Sequence, residues 1–135
     1  MIRLKDLLKE NSDLNSIANS VTGKVNCDVK GSCVGFAELF VLAVYKKNPS
    51  LLNTFDVIEG YVTENGRKLQ HTWIQTKSGK NIDPTFAQFK AGSEYNTQIK
   101  SKYTGTKYFE DTIKFNKLDV DNIDTSNMTI GKWYN

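Results

Sequence analysis

The chain has 135 residues, of which 39% are hydrophobic, and its 18 basic and 15 acidic residues leave a net charge of +3. At roughly 100–200 residues per domain, this length predicts a single domain over 1–135 with one modest core. Sixteen of the 18 basic residues are Lys. Because bidentate recognition of bases and phosphates favours Arg, this composition argues against a nucleic-acid partner.

The thiols and the hydropathy exclude further classes. Cys27 and Cys33 are too few for a disulfide framework, and no Cys-x-x-Cys pair or spaced His pair indicates a zinc site. Charges interrupt the N-terminal leucines, which argues against a secretory signal, and no segment approaches the roughly 18 apolar residues of a membrane span. We therefore expect no membrane partner and a reducing, cytoplasmic location, with export by a partner system left open.

Helical spacing dominates the N-terminal region. Leucines three and four residues apart open the chain, and a second apolar set follows between Leu14 and Val21. Ser12 and Asp13 lie between the two sets and are typical N-cap residues. The pattern predicts one broken helix or two short amphipathic helices over 3–21.

The most apolar segment runs from Val34 to Tyr45, where ten of twelve residues are apolar. A helix this hydrophobic on all sides must be buried. A buried strand is the alternative, but twelve residues exceed the usual strand length. The charges and proline of 46–49 suit a helix end. The sequence thus predicts a buried central helix that begins at Cys33.

Residues with β propensity follow, from Phe55 to Thr63 and from Lys68 to Thr76. Asn65-Gly66 between them is a strong signal for a two-residue hairpin turn. A second turn at 77–79 leads to a third strand that ends at Asp83. The prediction is an antiparallel meander of three strands.

The C-terminal region 94–135 is expected to supply one more strand and a tail. The run from Lys107 to Phe115 is rich in Tyr, Phe, Ile and Thr, which favour strands, and its lysines and aromatics interleave as on a half-exposed strand. Asp119, Asp121 and Asp124 lack the Gly and terminal Glu of a calcium loop, so we predict no metal there.

Three residues with chemically reactive side chains lie in the predicted helix and strands. Cys33 opens the buried helix, and a thiol at a helix N-terminus ionises more readily than a free one. His71, the single histidine of the chain, lies in the middle strand, and Asp83 ends the third strand. A thiol, an imidazole and a carboxylate are the parts of an activated-cysteine triad.

Four motifs follow one another along the chain: Gly31-Ser32-Cys33 before the apolar helix, Glu59-Gly60-Tyr61, His71-Thr72-Trp73 and Asp83-Pro84-Thr85-Phe86. In this order they resemble the motifs of the bacterial transglutaminase-like family. This family is a branch of the papain-like cysteine fold, and the resemblance covers about 28–89. It implies an α+β core in which the cysteine helix packs on an antiparallel sheet. It also implies that Cys33 is the nucleophile, His71 its base and Asp83 the orienting acid. The family's usual His-Ala-Trp is His-Thr-Trp here.

Strand parity tests this triad independently. A two-residue second turn would pair Asp83 with Ile74 and put Asp83 and His71 on opposite faces of the sheet. A three-residue loop with Gly79 in the left-handed conformation pairs Asp83 with Trp73 instead, and makes His71 and Asp83 neighbours on one face. In that register Trp73 would keep water away from the imidazole–carboxylate hydrogen bond.

Acyl transfer also requires an oxyanion hole. The backbone N–H of Cys33 is one expected donor, and the upstream polar candidates for a second are Asn26, Asp28 and Ser32. We take Asn26 as the supporting residue. Glu38, the one charge on the apolar helix, is expected to form a salt bridge or a hydrogen bond.

The sequence therefore predicts cysteine-dependent acyl transfer or hydrolysis at a carboxamide or peptide carbonyl, of deamidase, protease or transglutaminase type, through a thioester. The expected partner is a protein or peptide substrate, and no cofactor is required. A non-catalytic binding module that keeps the fold, such as an inhibitor, immunity or phage accessory protein, is the alternative. A metal site built from Cys27, Cys33, His71 and Asp83 is disfavoured, because two cysteines with one His and one Asp match no common ligand spacing. Cys27 is therefore expected to pack.

Overall fold

The computed structural model describes residues 4–123, so the predicted tail from Asp124 onward lies outside the described residues. Its helices and strands are α1 (Leu4–Thr22), α2 (Ser32–Lys47), β1 (Phe55–Glu64), β2 (Arg67–Thr76), β3 (Asn81–Ile82), β4 (Glu94–Thr104) and α3 (Gly105–Asn116). Short 3-10 helices occupy Pro49–Thr54, Pro84–Gln88 and Val120–Asn122. The expected mixture of helices with a small antiparallel sheet is confirmed. None of the helices within 4–123 is long and apolar enough to cross a membrane.

The first helix, α1, is continuous, so the predicted break at Ser12 and Asp13 is wrong. The Asp13 carboxylate lies 3.2 Å from the Lys9 ammonium one helical turn earlier, a spacing that supports an unbroken helix. The apolar residues between Leu14 and Val21 then pack into the core. This packing outweighs the preference of Ser and Asp for a helix start.

The second helix, α2, is the buried central helix that the sequence predicts. Its aromatic side chains Phe36 and Phe40 are at most 2% exposed, and the Phe40 ring meets Phe55 of the sheet edge-on at 5.2 Å. Burial of such a side chain contributes roughly 1.5–3 kcal/mol. The helix ends where Pro49 prevents its continuation.

The four strands form one antiparallel sheet in the order β3-β2-β1-β4. The β1–β2 hairpin turns through Asn65 and Gly66, with φ of 50° and 76°, so the predicted two-residue turn is confirmed. Four residues of one sheet face join the core cluster that includes α2: Phe55, Val57, Ile74 and Ile82.

The second turn has the predicted three-residue form. Gly79 adopts a φ of 90°, the left-handed region that glycine tolerates best, and Ile74 pairs with Ile82. One residue farther along this register, Trp73 lies opposite Asp83. The predicted register of β2 and β3 is therefore confirmed, although β3 itself has only two residues.

The segment 107–115 is helical, so the prediction of a strand there is wrong. Thr104 caps α3 by accepting a hydrogen bond from the backbone N–H of Lys107. Tyr108, Phe109 and Thr112 are buried on one side of the helix. An amphipathic face packed on the core overrides the β propensity of these residues. The additional strand of the sheet is β4, which precedes this segment.

The edge strand β4 does not pair regularly with β1. Tyr103 lies opposite Val57, but Tyr95 lies opposite Val62, and the register shifts on either side of Gly60 insert three extra residues into β4 between these two pairs. Because side chains alternate between faces, an odd insertion turns the first part of β4 over. Tyr95 and Tyr103 therefore lie on opposite faces of the sheet.

Candidate active site

The thiol of Cys33 lies in the first turn of α2. Gly31 leads into the helix with a φ of 88°, and its backbone N–H donates a 3.2 Å hydrogen bond to the side-chain carbonyl of Gln88. Glycine suits this left-handed entry because other residues would be strained. The turn holds Cys33, which is 8% exposed, at the positive end of the helix dipole, as the sequence predicts.

His71 and Asp83 form a buried hydrogen-bonded pair. The Nε2 atom of the imidazole lies 2.6 Å from Oδ2 of the carboxylate, and the two side chains are 0% and 2% exposed. The same-face placement follows from the register of the second turn. Because Nε2 donates to the carboxylate, the neutral imidazole presents Nδ1 as its acceptor.

The Cys33 thiol interacts with this imidazole. Nδ1 is buried and has no hydrogen-bond partner among residues 4–123, and Cys33 lines the same cleft as His71 and lies close enough to the ring to affect its pKa. Burial lowers the pKa of His71, but Asp83 and Cys33 outweigh burial and raise this pKa to about 9. The structure thus brings the three predicted residues together at one site.

Two hydroxyl groups hold the Asp83 carboxylate. Thr85 Oγ1 donates to Oδ1 at 2.8 Å, and the Tyr95 hydroxyl donates to Oδ2 at 2.8 Å. A buried carboxylate requires such donors, because desolvation without hydrogen bonds is costly. Thr85 belongs to the Asp83 motif. Tyr95 was not predicted, and no local pattern marks it, because the bulges of β4 decide its direction.

Trp73, the predicted supporting residue, is 4% exposed and stacks on His71 with ring centroids 5.7 Å apart. Its indole N–H donates to the Asn81 side-chain carbonyl at 3.0 Å, which fixes the ring. Phe89 meets the imidazole edge-on at 4.9 Å. A Cβ at Gly60 would lie 2.9 Å from the Trp73 ring, so this glycine leaves room for the stack.

A cleft of about 280 Å³ opens beside Cys33 and His71. Side chains from β1, β2, β4 and α3 complete its lining, among them Glu59, Gln70, Lys100 and Tyr108. Sequence reasoning did not predict the roles of these residues in the cleft, since two of them come from the C-terminal elements that only the tertiary fold brings to the site. Cys33 thus lies at the wall of a cleft that is open to solvent.

Asn26, the predicted second oxyanion donor, does not lie in the cleft. It is exposed in the turn before α2, where its backbone carbonyl accepts a hydrogen bond from the Val29 N–H at 3.3 Å. Of the other upstream candidates, Asp28 is exposed. The hydroxyl of Ser32, next to Cys33, is buried without a hydrogen-bond partner in the described part of the chain.

The second thiol has a different environment. Cys27 is half-buried and packs against the core, as expected. Burial raises the pKa of Cys27, and the negative charges of Asp83 and Asp28 raise it further. This thiol is therefore an internal reference for the reactivity of Cys33.

Glu38 is 2% exposed, and Asn116 donates a 3.1 Å hydrogen bond to its carboxylate, so the predicted hydrogen bond of this buried charge is confirmed. Across 4–123, no three His, Cys, Asp or Glu side chains are arranged to hold a metal ion.

Comparisons of the chain with protein-family models, with curated protein sequences and with solved structures found no match. The resemblance to transglutaminase-like enzymes stays a prediction from the four motifs. The function is therefore inferred from the geometry of the site.

Proposed function

We propose that this protein is a cysteine-dependent hydrolase or acyltransferase of the transglutaminase-like type, with a papain-like core. The observation that carries the proposal is the buried 2.6 Å contact between His71 Nε2 and Asp83 Oδ2, which leaves Nδ1 to serve Cys33 at an open cleft. A carboxylate that orients an imidazole against a thiol is the arrangement of an activated nucleophile.

In the proposed reaction, the Cys33 thiol gives its proton to Nδ1 of His71, and the sulfur attacks the carbonyl carbon of an amide. The tetrahedral intermediate collapses with cleavage of the C–N bond, and the imidazolium returns the proton to the leaving amine. A thioester remains. Water, or a second amine, then attacks the thioester with His71 as base, and the thiol is regenerated.

The electrostatics support this sequence of steps. Because the pKa of His71 is raised to about 9, the imidazolium that forms when Nδ1 takes the thiol proton is stable at neutral pH and holds this proton for the leaving amine. Asp83 stabilises the imidazolium by charge. The backbone N–H of Cys33, in the first turn of α2, is placed to donate to the developing oxyanion. Ser32, whose hydroxyl lacks a described partner, is the nearest candidate for a second donor.

The substrate class is a carboxamide, either a glutamine side chain or a peptide bond in a protein or peptide. We expect hydrolysis or deamidation rather than cross-linking. The cleft is small and open to solvent, so water reaches the thioester more readily than a bulky amine.

Alkylation with iodoacetamide, followed by mass spectrometry, tests the nucleophile without knowledge of the substrate. Between pH 6 and 7.5 we expect Cys33 to react at least tenfold faster than Cys27, because the imidazolium stabilises its thiolate. His71→Ala should remove this advantage, and Cys27→Ala should leave the alkylation rate of Cys33 unchanged. Equal labelling of both thiols in the folded protein would refute an activated nucleophile.

A broad activity assay tests the reaction. Ammonia release from glutamine-containing proteins, amine incorporation and peptide cleavage are measured for the wild type, Cys33→Ala and His71→Ala. We expect activity in the wild type alone. If both variants keep the full biological effect of the protein, the cleft belongs to a non-catalytic binding module.

A further inference from the structure

One oxygen of Asp83 serves two donors. Oδ2 lies 2.6 Å from His71 Nε2 and 2.8 Å from the Tyr95 hydroxyl, and Thr85 occupies the other oxygen at 2.8 Å. All three donors meet a carboxylate whose side chain is 2% exposed. Tyr95 therefore acts on the same carboxylate oxygen that orients the imidazole.

The position of Tyr95 depends on the irregular pairing of β4. Tyr95 lies opposite Val62 in the pairing of β4 with β1. Val62 lies on the same face of β1 as Gly60, and Gly60 lies opposite His71 of β2. With the regular pairing that holds at Tyr103, Tyr95 would point to the opposite face. Bulges beside active sites commonly direct a side chain in this way.

Aromatic packing fixes the Tyr95 ring in this position. Trp73 and Phe86 each lie 4.8 Å from it between ring centroids. Burial and the Asp83 charge raise the pKa of Tyr95 far above its usual value, so the phenol remains a donor throughout the accessible pH range. No titration of Tyr95 itself competes with its role as a donor.

We propose that Tyr95 is a positioning residue, which fixes the Asp83 carboxylate and moderates its hold on the imidazolium proton of His71. This inference rests on the proposed function. A carboxylate oxygen that accepts from two donors divides its charge between them. Without the phenol, His71 would be the only donor on Oδ2 and would release its proton to a leaving amine less readily.

Several charged or titratable groups near the imidazole could also affect its titration. Asp83 after β3 and Cys33 of α2 act on the imidazole directly, and Tyr95 of β4 contacts Asp83. The cleft that His71 lines is also lined by Glu59 of β1, Lys100 of β4 and Tyr108 of α3. The Tyr95→Phe substitution changes one of them and keeps the ring. Tyr103→Phe is the matched control, since that hydroxyl lies on the other face of β4 and donates to Glu59 at 3.3 Å.

The test is a titration of the imidazole by nitrogen-15 NMR between pH 6 and 11, and it needs no assignment of overlapping signals because the chain has a single histidine. Tyr95→Phe should raise the midpoint of His71 from about 9 by roughly half a unit or more. The upper limb of the pH–rate profile for Cys33 alkylation should move by the same amount. Tyr103→Phe, which removes a hydroxyl from Glu59 and not from Asp83, should move both by clearly less.

An unchanged or lowered midpoint in Tyr95→Phe, or an equal change in Tyr103→Phe, would overturn the proposal. If Tyr95→Phe does not fold, Tyr95→Leu, which has no side-chain donor and is smaller, is titrated instead with the same expectation and the same refutation. The NMR midpoint is independent of catalysis. Loss of Cys33 reactivity in the wild type would therefore refute the proposed function while the titration still decides the role of Tyr95.

Discussion

The two sides of the His71 ring differ sharply. On the Nε2 side, Asp83 is enclosed by hydroxyl groups and aromatic rings and is almost inaccessible to solvent. On the Nδ1 side, Cys33 lines an open cleft with charged residues such as Glu59 and Lys100 at its wall. Under the proposed function, the closed side determines where the proton lies, and the open side admits the substrate. Substitutions on the closed side should therefore change catalysis more than substitutions on the open side.

The largest effect is expected for Asp83→Asn, on the closed side. The amide cannot stabilise the imidazolium and favours the wrong imidazole tautomer, so turnover should fall by about 10³–10⁴-fold, and the alkylation rate of Cys33 should fall towards that of Cys27. The amide has one accepting oxygen, so its NH₂ group must face either the Thr85 hydroxyl or the donors Tyr95 and His71. These buried donors then lack an acceptor, which should lower the free energy of unfolding by about 1–3 kcal/mol.

Thermal denaturation and single-turnover rates measure the two effects of Asp83→Asn separately. Thr85→Val, which removes one donor but keeps the carboxylate, is the control for stability. A folded Asp83→Asn protein with at least a tenth of the wild-type rate would contradict the closed-side function.

The second prediction concerns pH and stability. The pKa of His71 rises from 6.5 in the unfolded chain to about 9 in the fold. The stabilisation by the protonated pair is therefore fully present below pH 6.5 and is lost as the pH rises through 9. The loss should amount to at most about 3 kcal/mol.

Urea denaturation at pH 6 and at pH 9.5 measures this loss of stability. The decrease should be smaller in Asp83→Asn, which lacks the charge that raises the pKa. An identical decrease in both proteins would show that other groups cause it.

A smaller effect is expected at the Gly79 turn, which sets the register of β2 and β3 and so brings Asp83 to His71. A Cβ at Gly79 would meet no atom within 4 Å, so the cost of Gly79→Val is the left-handed backbone alone, about 1–2 kcal/mol. Because a slip by one residue would turn Asp83 away from His71, alkylation of Cys33 should slow beyond the loss of folded protein. Gly66→Val, in the other hairpin, is the control and should affect stability only.

The smallest effect is expected on the open side. The exposed Lys100 lines the cleft, so it should favour the anionic reagent iodoacetate over neutral iodoacetamide at Cys33. Lys100→Gln should lower the ratio of the two rates by about two- to threefold, as expected for one solvent-exposed charge. Lys102→Gln, whose ammonium lies near Asp56, is the matched control. An unchanged ratio would indicate that the Lys100 charge does not reach the thiol.

Local sequence signals were sufficient for part of the fold. Ten apolar residues in twelve predict a buried helix whatever surrounds it, and the Asn65-Gly66 and Gly79 turns specify their own backbone conformations. The register of β2 and β3, and with it the hydrogen bond between His71 and Asp83, follows from one loop length. The geometry of this short loop is therefore enough to predict that the two side chains share a face.

Tertiary structure decided the rest. The run 107–115 has residues typical of a strand, but burial of Tyr108 and Phe109 against the core makes it helical. The bulges that direct Tyr95 toward Asp83 leave no local pattern, because they depend on how β4 fits beside β1 and over the rings of the site. Turn chemistry is encoded within a few residues. The direction of an edge strand, and the residues it brings to a distant carboxylate, depend on packing across the whole fold.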